Sequence, residues 1–142
     1  MSTHRFGGIA VVAILLVLVA PLSALGAGKT TITLNSFAVE TFTATGGVVC
    51  PSGTATTDFD HFGGGGAAGS FHLTKTLVCD DNSGSFTIVI NAAVVFGHPT
   101  DQGGWAVLEG TGAYATLSGG GNVVGTYVPD GIVDVYTGSL RK

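Results

Sequence analysis

The sequence predicts an all-β protein, most simply an antiparallel eight-stranded barrel, with a β-sandwich as the alternative. After residue 27, apolar and polar residues alternate repeatedly with a period of two, and no segment shows a convincing helical period. Gly, Asp, Asn and Pro separate these segments at short intervals, as in barrels and sandwiches. Closure into a barrel would also hide the sheet edges, which a chain with few charged residues has little means to protect.

Residues 1–27 precede the predicted fold and show the sequence of regions that is typical of a secretory signal peptide. Arg5 gives a positive start, Ile9–Ala20 is an uncharged apolar run, Pro21 ends it, and small residues follow. The run is shorter than the ~20 apolar residues of a comfortable transmembrane helix. We therefore expect cleavage after Gly26 or Ala27 and assign 28–142 to one secreted or periplasmic domain, large enough for a single core.

Seven to eight strands are predicted in this domain. They lie at about 30–38, 39–46, 53–59, 69–79, 84–96, 104–109, 113–127 and 131–140. Asp80–Gly84 predicts a hairpin turn between two strongly alternating strands, and Pro129–Gly131 predicts another before the last strand. Gly63–Gly66 indicates a flexible loop or a sharp bend. Gly119–Gly121 indicates a kink or bulge, which leaves open a break in the seventh strand.

Charge limits the possible partners. Without Arg5 the chain has four basic residues against nine acidic ones, a net charge near −5. So few cations disfavour binding to nucleic acid or to anionic lipid. Few aromatic residues and the charged end Arg141–Lys142 disfavour an outer-membrane barrel, so we expect the mature form not to be embedded in a membrane.

The two cysteines, Cys50 and Cys79, most simply form a disulfide, because two cysteines of an exported protein usually pair. The loop closed by this bond has about 30 residues, which corresponds to roughly 3.5 kcal/mol in the chain-entropy model. Two free or buried thiols are the alternative. A redox-active pair is not expected, since there is no Cys-x-x-Cys motif.

No cofactor, metal or catalytic residue is predicted. Residues 110–115 fit a loose dinucleotide fingerprint, but no helix can follow them. The residues that could ligate a metal match no known spacing; they are Asp58, Asp60, His61, His72 and His98. There is no Gly-x-Ser-x-Gly motif, although dispersed serine, histidine and aspartate residues leave a triad open.

Several ionisable residues share strand parity with apolar neighbours: Glu40, Lys75, Glu109 and Asp134. If these faces point into a barrel, a buried Lys75 needs a carboxylate partner, because an unpaired buried charge is very costly. Such a pair could orient a small ligand or support acid–base chemistry. The alternatives are a bulge that turns Lys75 outward, or strand ends at which Glu40 and Glu109 reach solvent; a one-residue slip reverses each assignment.

The segment 104–119, GWAVLEGTGAYATLSG, resembles the strand–GTG–aromatic stretch of the allene oxide cyclase barrel and dirigent proteins. It is more similar to small secreted bacterial proteins with a GTGAYA segment, which often carry a similar cysteine pair at segments like 50–53 and 78–81. The resemblance implies an antiparallel eight-stranded barrel. Dirigent proteins steer phenolic coupling or cyclisation, and allene oxide cyclases close a ring derived from a fatty acid. No catalytic residue of either family can be matched here.

The leading hypothesis is an exported, non-enzymatic β-barrel module that binds a small ligand or associates with a surface. The second is a dirigent-like or cyclase-like barrel that positions an apolar substrate, and the third is a self-associating structural protein. A small apolar ligand is the expected partner, and the oligomeric state is left open. The candidate ligand contacts are Lys75, Glu40, Glu109, Trp105 and Tyr114. A packed interior would exclude the second hypothesis, whereas an apolar pocket of ~300 Å³ with convergent polar groups would support it.

Overall fold

The computed structural model describes residues 27–142, so the predicted signal peptide lies outside the described residues except for its last position. The strands are β1 (Gly28–Ser36), β2 (Glu40–Thr45), β3 (Ser52–Gly65), β4 (Ala68–Cys79), β5 (Ser85–Val95), β6 (Thr100–Gly110), β7 (Ser118–Val128) and β8 (Gly131–Arg141). Each strand pairs with the next, and β8 pairs with β1. The predicted closed antiparallel barrel is therefore confirmed. No helix in the described part of the chain is long and apolar enough to span a bilayer.

The core forms because each strand points alternate side chains inward. In β5, for example, Phe86, Ile88 and Ile90 are buried, while the residues between them lie at the surface or are half-buried. Inward residues of the other strands meet them in one continuous cluster. The alternation on which the strands were predicted is thus the alternation that builds the interior.

One end of the barrel is closed by packing. The ring of Phe86 contacts Phe42 at a centroid distance of 6.2 Å and Tyr114 at 5.5 Å. The predicted pair Cys50 and Cys79 forms a disulfide at the same end, with Cα atoms 5.9 Å apart. Aromatic contacts and a covalent cross-link fill this end of the barrel.

The opposite end is open, because one seam of the barrel is short. β2 pairs with β3 over three residue pairs, Thr41–Thr43 with Ser52–Thr54. β3 then continues to Gly65 alongside β4, whereas β2 begins only at Glu40 and has no residues to pair with this part of β3. The unequal lengths leave a slit between the start of β2 and the outer half of β3.

The prediction of a strand over 113–127 is wrong at its start. Residues Gly112–Tyr114 form a 3-10 turn, and β7 begins only at Ser118. Gly112 has φ +58°, a conformation that favours glycine, and it turns the chain across the closed end. The segment 119–121 does not break β7; it lies within the strand, where the backbones of both neighbouring strands approach too closely for a Cβ.

The end of β3 and the start of β6 also differ from prediction. The bend expected at Gly63–Gly66 is a tight turn at Gly66 and Ala67, and the preceding glycines extend β3 well past residue 59. β6 begins at Thr100 rather than at residue 104. Because glycine has no side chain, glycine-rich segments show no alternation of apolar and polar residues. Periodicity therefore could not show that the strands continue through them.

Candidate functional site

A cavity of about 300 Å³ occupies the open end of the barrel. Its apolar lining is Phe59, Phe71, Leu73, Ile90, Ala92, Val123 and Ile132. Its polar lining is Ser36, Glu40, Thr57, Lys75, Asp101, Tyr127, Asp134 and Tyr136. The interior is therefore hollow at this end, with polar groups of several strands converging on one space.

Lys75 is the centre of the polar lining. It is only 5% exposed, and its position in β4 points it inward between Leu73 and Leu77. Its Nζ donates hydrogen bonds to Thr57 Oγ1 at 2.6 Å and Ser36 Oγ at 3.2 Å. A buried ammonium without such partners would be very costly, so these contacts are a condition of its burial.

Two carboxylates compensate the charge of Lys75. Nζ lies 3.5 Å from Glu40 Oε1 and 3.9 Å from Asp134 Oδ2. Thr57 donates its hydroxyl to Glu40 at 2.8 Å and thereby holds that carboxylate beside the lysine. The expected pairing of Lys75 with a carboxylate is present, and Asp134 faces inward as its strand parity predicts.

Asp101 is the second buried aspartate of the cavity. Its Oδ1 accepts a hydrogen bond from the Gly125 amide at 3.0 Å, and its Oδ2 accepts one from the Tyr127 hydroxyl at 3.1 Å. A Cβ built on Gly125 would collide with Oδ1 of both Asp101 and Asp134. Glycine at this position therefore lets the two carboxylates lie on either side of the β7 backbone.

The electrostatic environment disfavours further negative charge. Burial raises the pKa of Asp134, and the charges of Asp101 and Glu40 add to this effect, while Lys75 opposes it. Burial also raises the pKa of the Tyr136 hydroxyl, which donates to Asp134 Oδ2 at 3.2 Å. The pKa of Tyr127 is raised by burial and then by Asp101.

Of the five predicted ligand contacts, the structure brings Lys75 and Glu40 together at the cavity. Trp105 is buried behind it: its ring meets Tyr136 edge-on at 5.9 Å, and its Nε1 donates to the Asn122 carbonyl at 3.1 Å. Tyr114 lies at the closed end, where its hydroxyl is 2.9 Å from the hydroxyl of Ser83. Trp105 and Tyr114 therefore support the core and do not line this cavity.

The inward placement of Glu109 is wrong. Thr87 is paired with Glu109 and Ile88 with Val107, so Leu108 is an extra residue in β6. This bulge shifts the alternation by one position and turns Glu109 to the exposed outer face. The strand parity that placed Glu109 beside Val107 does not extend across the bulge.

Sequence reasoning missed several cavity residues, above all Asp101, Tyr127 and Thr57. Asp101 precedes two glycines, outside the predicted sixth strand, and so lacks an alternating context. Tyr127 is 42% exposed at the end of β7, and Thr57 is a polar residue in a polar stretch of β3. Parity could have found Thr57, since it lies two positions after the buried Ala55.

The candidate metal residues do not form a metal centre. Asp60 Oδ2 lies 2.8 Å from His72 Nδ1, with both side chains substantially exposed. Within residues 27–142, no three side chains of the types that ligate metals are grouped closely enough to hold an ion. This pair is a surface contact at a second bulge, where Asp60 is the extra residue opposite β4.

Comparison with known proteins adds no family. No protein-family model matches the chain, and neither the curated proteins nor the solved structures contain a match. The class that the fold defines is a closed eight-stranded antiparallel barrel with a cavity at one end, lined by both apolar and polar side chains. The functional argument therefore depends on this cavity.

Proposed function

We propose that the protein is an exported barrel that binds a small, largely apolar ligand in the cavity at its open end. The observation that carries the proposal is the hollow itself: about 300 Å³ within a barrel that is otherwise filled. Ligand sites are typically concave, mostly apolar and supplied with a few converging polar groups, and this volume is at the lower limit of their usual range. The lining combines aromatic and aliphatic walls with the cluster around Lys75.

The entrance supports the same proposal. Phe62 contacts Phe71 at a centroid distance of 5.1 Å and Phe96 at 6.1 Å, and Phe59 contacts Phe71 at 6.0 Å. Phe59 and Phe62 share the inner face, although they are three residues apart, because the Asp60 bulge shifts the alternation between them. Partly exposed aromatic side chains grouped at one opening are typical of a ligand entrance or a contact surface.

Export is part of the proposal and rests on the predicted leader, with the disulfide as a supporting observation. The test is mass spectrometry of the protein recovered outside the cytoplasm of an expressing bacterium. An N-terminus at Ala27 or Gly28 is expected. An intact N-terminus, or protein retained in the cytoplasm, would contradict export without affecting the binding proposal.

Binding is tested with N-phenyl-1-naphthylamine, a neutral apolar fluorophore that brightens when it leaves water. Ala92 is 8% exposed and lines the cavity, so Ala92→Leu fills part of the hollow. Ala93 is the next residue of β5 and points outward, so Ala93→Leu is the matched control. We expect saturable binding that Ala92→Leu weakens at least about tenfold and Ala93→Leu leaves unchanged, since added volume competes with the ligand. Equal effects of both variants would exclude the cavity as the site.

A second candidate function is catalysis by a dirigent-like or cyclase-like barrel. The observation that favours it is Asp134, a buried carboxyl at the cavity: burial raises its pKa, and a raised pKa brings a carboxyl closer to the range of a general acid. The test is coupling of coniferyl alcohol by ferricyanide, a one-electron oxidant, with the enantiomeric excess of the product measured. Catalysis by orientation predicts an excess that Ala92→Leu abolishes. A racemic product from the wild type would contradict this candidate in its dirigent form.

A further inference from the structure

We propose that the ligand of this cavity is an organic ammonium: a cationic head at the Asp134 and Asp101 carboxylates, with an apolar body along the aromatic wall. The inference rests on the proposed binding function and deepens it. Its first support is the charge of the lining, which holds three carboxyl groups and one ammonium. An anionic ligand would add to an excess of negative charge in a half-enclosed space, whereas a cationic ligand would relieve it.

The one ammonium of the lining is already occupied by protein groups. Lys75 Nζ contacts Thr57, Ser36 and Glu40 within 3.5 Å. A ligand carboxylate could reach Lys75 only by displacing hydroxyl or carboxylate groups that belong to the protein itself and therefore stay close to the lysine. Lys75 also shows that this lining accommodates an ammonium, because its own head group is buried there.

Asp134, by contrast, retains a free acceptor. Asp134 Oδ2 accepts from the Tyr136 hydroxyl, but in the described part of the chain no group donates to its Oδ1. That atom is not a buried unsatisfied acceptor either, so part of its surface remains exposed. A ligand N–H donor can therefore form a charge-assisted hydrogen bond to Oδ1 without displacing a protein contact.

The walls beside the carboxylates are aromatic. Phe71, Tyr127 and Tyr136 line the cavity, and Phe59 stands at its entrance over Phe71. The faces of such rings attract ammonium groups, and the attraction is strongest where water is excluded. Carboxylates and aromatic rings in one lining are the combination that selects a cation with an apolar body over a neutral or anionic analogue.

The test uses three probes of matched shape: 4-phenylbutylammonium, 4-phenylbutanol and 4-phenylbutyrate. Each displaces bound N-phenyl-1-naphthylamine in competition titrations at neutral pH. We expect the ammonium to bind at least about tenfold more tightly than the alcohol, and the carboxylate to bind most weakly, because one charge-assisted hydrogen bond replaces a neutral one.

Variants separate a specific contact from the general attraction of an acidic protein for cations. Asp134→Asn should reduce the preference for ammonium over alcohol to about threefold or less, with the affinity for the alcohol retained. Asp58→Asn is the matched control, because Asp58 is exposed on β3 outside the cavity and its loss changes the net charge equally. This control should keep the full preference.

Each result has one meaning. Tightest binding of the carboxylate, equal binding of all three probes, or a preference unaffected by Asp134→Asn would overturn the ammonium inference and leave the binding function standing. Displacement of the fluorophore by none of the probes would also overturn it. Failure of the fluorophore itself to bind would instead overturn the proposed function.

Discussion

Replacement of Lys75 by methionine tests whether the polar lining is held together by charge. Methionine has a similar length but no ammonium, so Lys75→Met leaves the Glu40 and Asp134 carboxylates without their cation. The Asp134 side chain is only 10% exposed and that of Glu40 21%, so water cannot fully replace the lost partner. Removal of one member of a buried ion pair typically destabilises a protein by 3–5 kcal/mol; because Glu40 retains some solvent, we expect about 3 kcal/mol at neutral pH.

The effect should depend on pH in a defined direction. Burial holds the folded-state pKa of Asp134 above its ordinary value of 3.8, so the folded state binds this proton more tightly than the unfolded state does. Such a group favours the fold at low pH and opposes it once the pH rises through the folded-state pKa. Lys75 lowers that pKa, and its removal raises it further. The destabilisation by Lys75→Met should therefore be largest near pH 7 and shrink toward about pH 4, as the carboxyl becomes protonated.

The assay is urea unfolding followed by the fluorescence of Trp105, which is 5% exposed in the fold and reaches water on unfolding. With a slope of about 1.5 kcal/mol per molar urea, a loss of about 3 kcal/mol lowers the midpoint by about 2 M. Lys29→Met is the control at an exposed lysine and should change the free energy of unfolding by less than about 0.5 kcal/mol. An unchanged or higher midpoint for Lys75→Met would refute the reasoning, since desolvation of the ammonium would then outweigh its attraction to the carboxylates.

Three further predictions concern the rest of the barrel. Gly125→Ala should lower the free energy of unfolding by about 2 kcal/mol, because its Cβ would strike both buried aspartates; Gly104→Ala, whose nearest neighbour would be 3.7 Å away, should be near neutral in the same urea titration. Reduction of the Cys50–Cys79 bond, which closes a separation of 29 residues, should remove about 3.5 kcal/mol, measured by unfolding with and without reductant. Tyr114→Phe should lower the free energy of unfolding by about 1 kcal/mol, because it removes the hydrogen bond to a serine hydroxyl. Thermal unfolding that matches the wild type would contradict that contribution.

The strands and turns with clear alternation could be predicted from the sequence, and the structure confirms them. The turns at Asp80–Gly84 and before Gly131 are present. Lys75 points inward, which is one of the two directions that the sequence left open. These features depend on residues close together in the chain. Local periodicity therefore carries the information needed to place them.

Predictions were weakest where an extra residue interrupts the alternation. The bulge at Leu108 turns Glu109 outward, and the bulge at Asp60 brings Phe59 and Phe62 to one face. A bulge is defined by the pairing of two strands, because two residues of one strand lie opposite one residue of the other. The sequence of one strand alone therefore does not show where it occurs.

The sequence by itself predicted the class of fold and favoured the pairing of the two cysteines, because alternation, turn residues and a predicted leader are local or compositional signals. It left open whether Lys75 points inward or outward. Only the tertiary structure decided that the barrel is hollow at one end and that Asp101 and Asp134 meet across Gly125. The hollow depends on how far β2 falls short of β3, and the meeting of the two aspartates depends on the register of three neighbouring strands. Both are relations between segments distant in the chain, which closure of the barrel brings together.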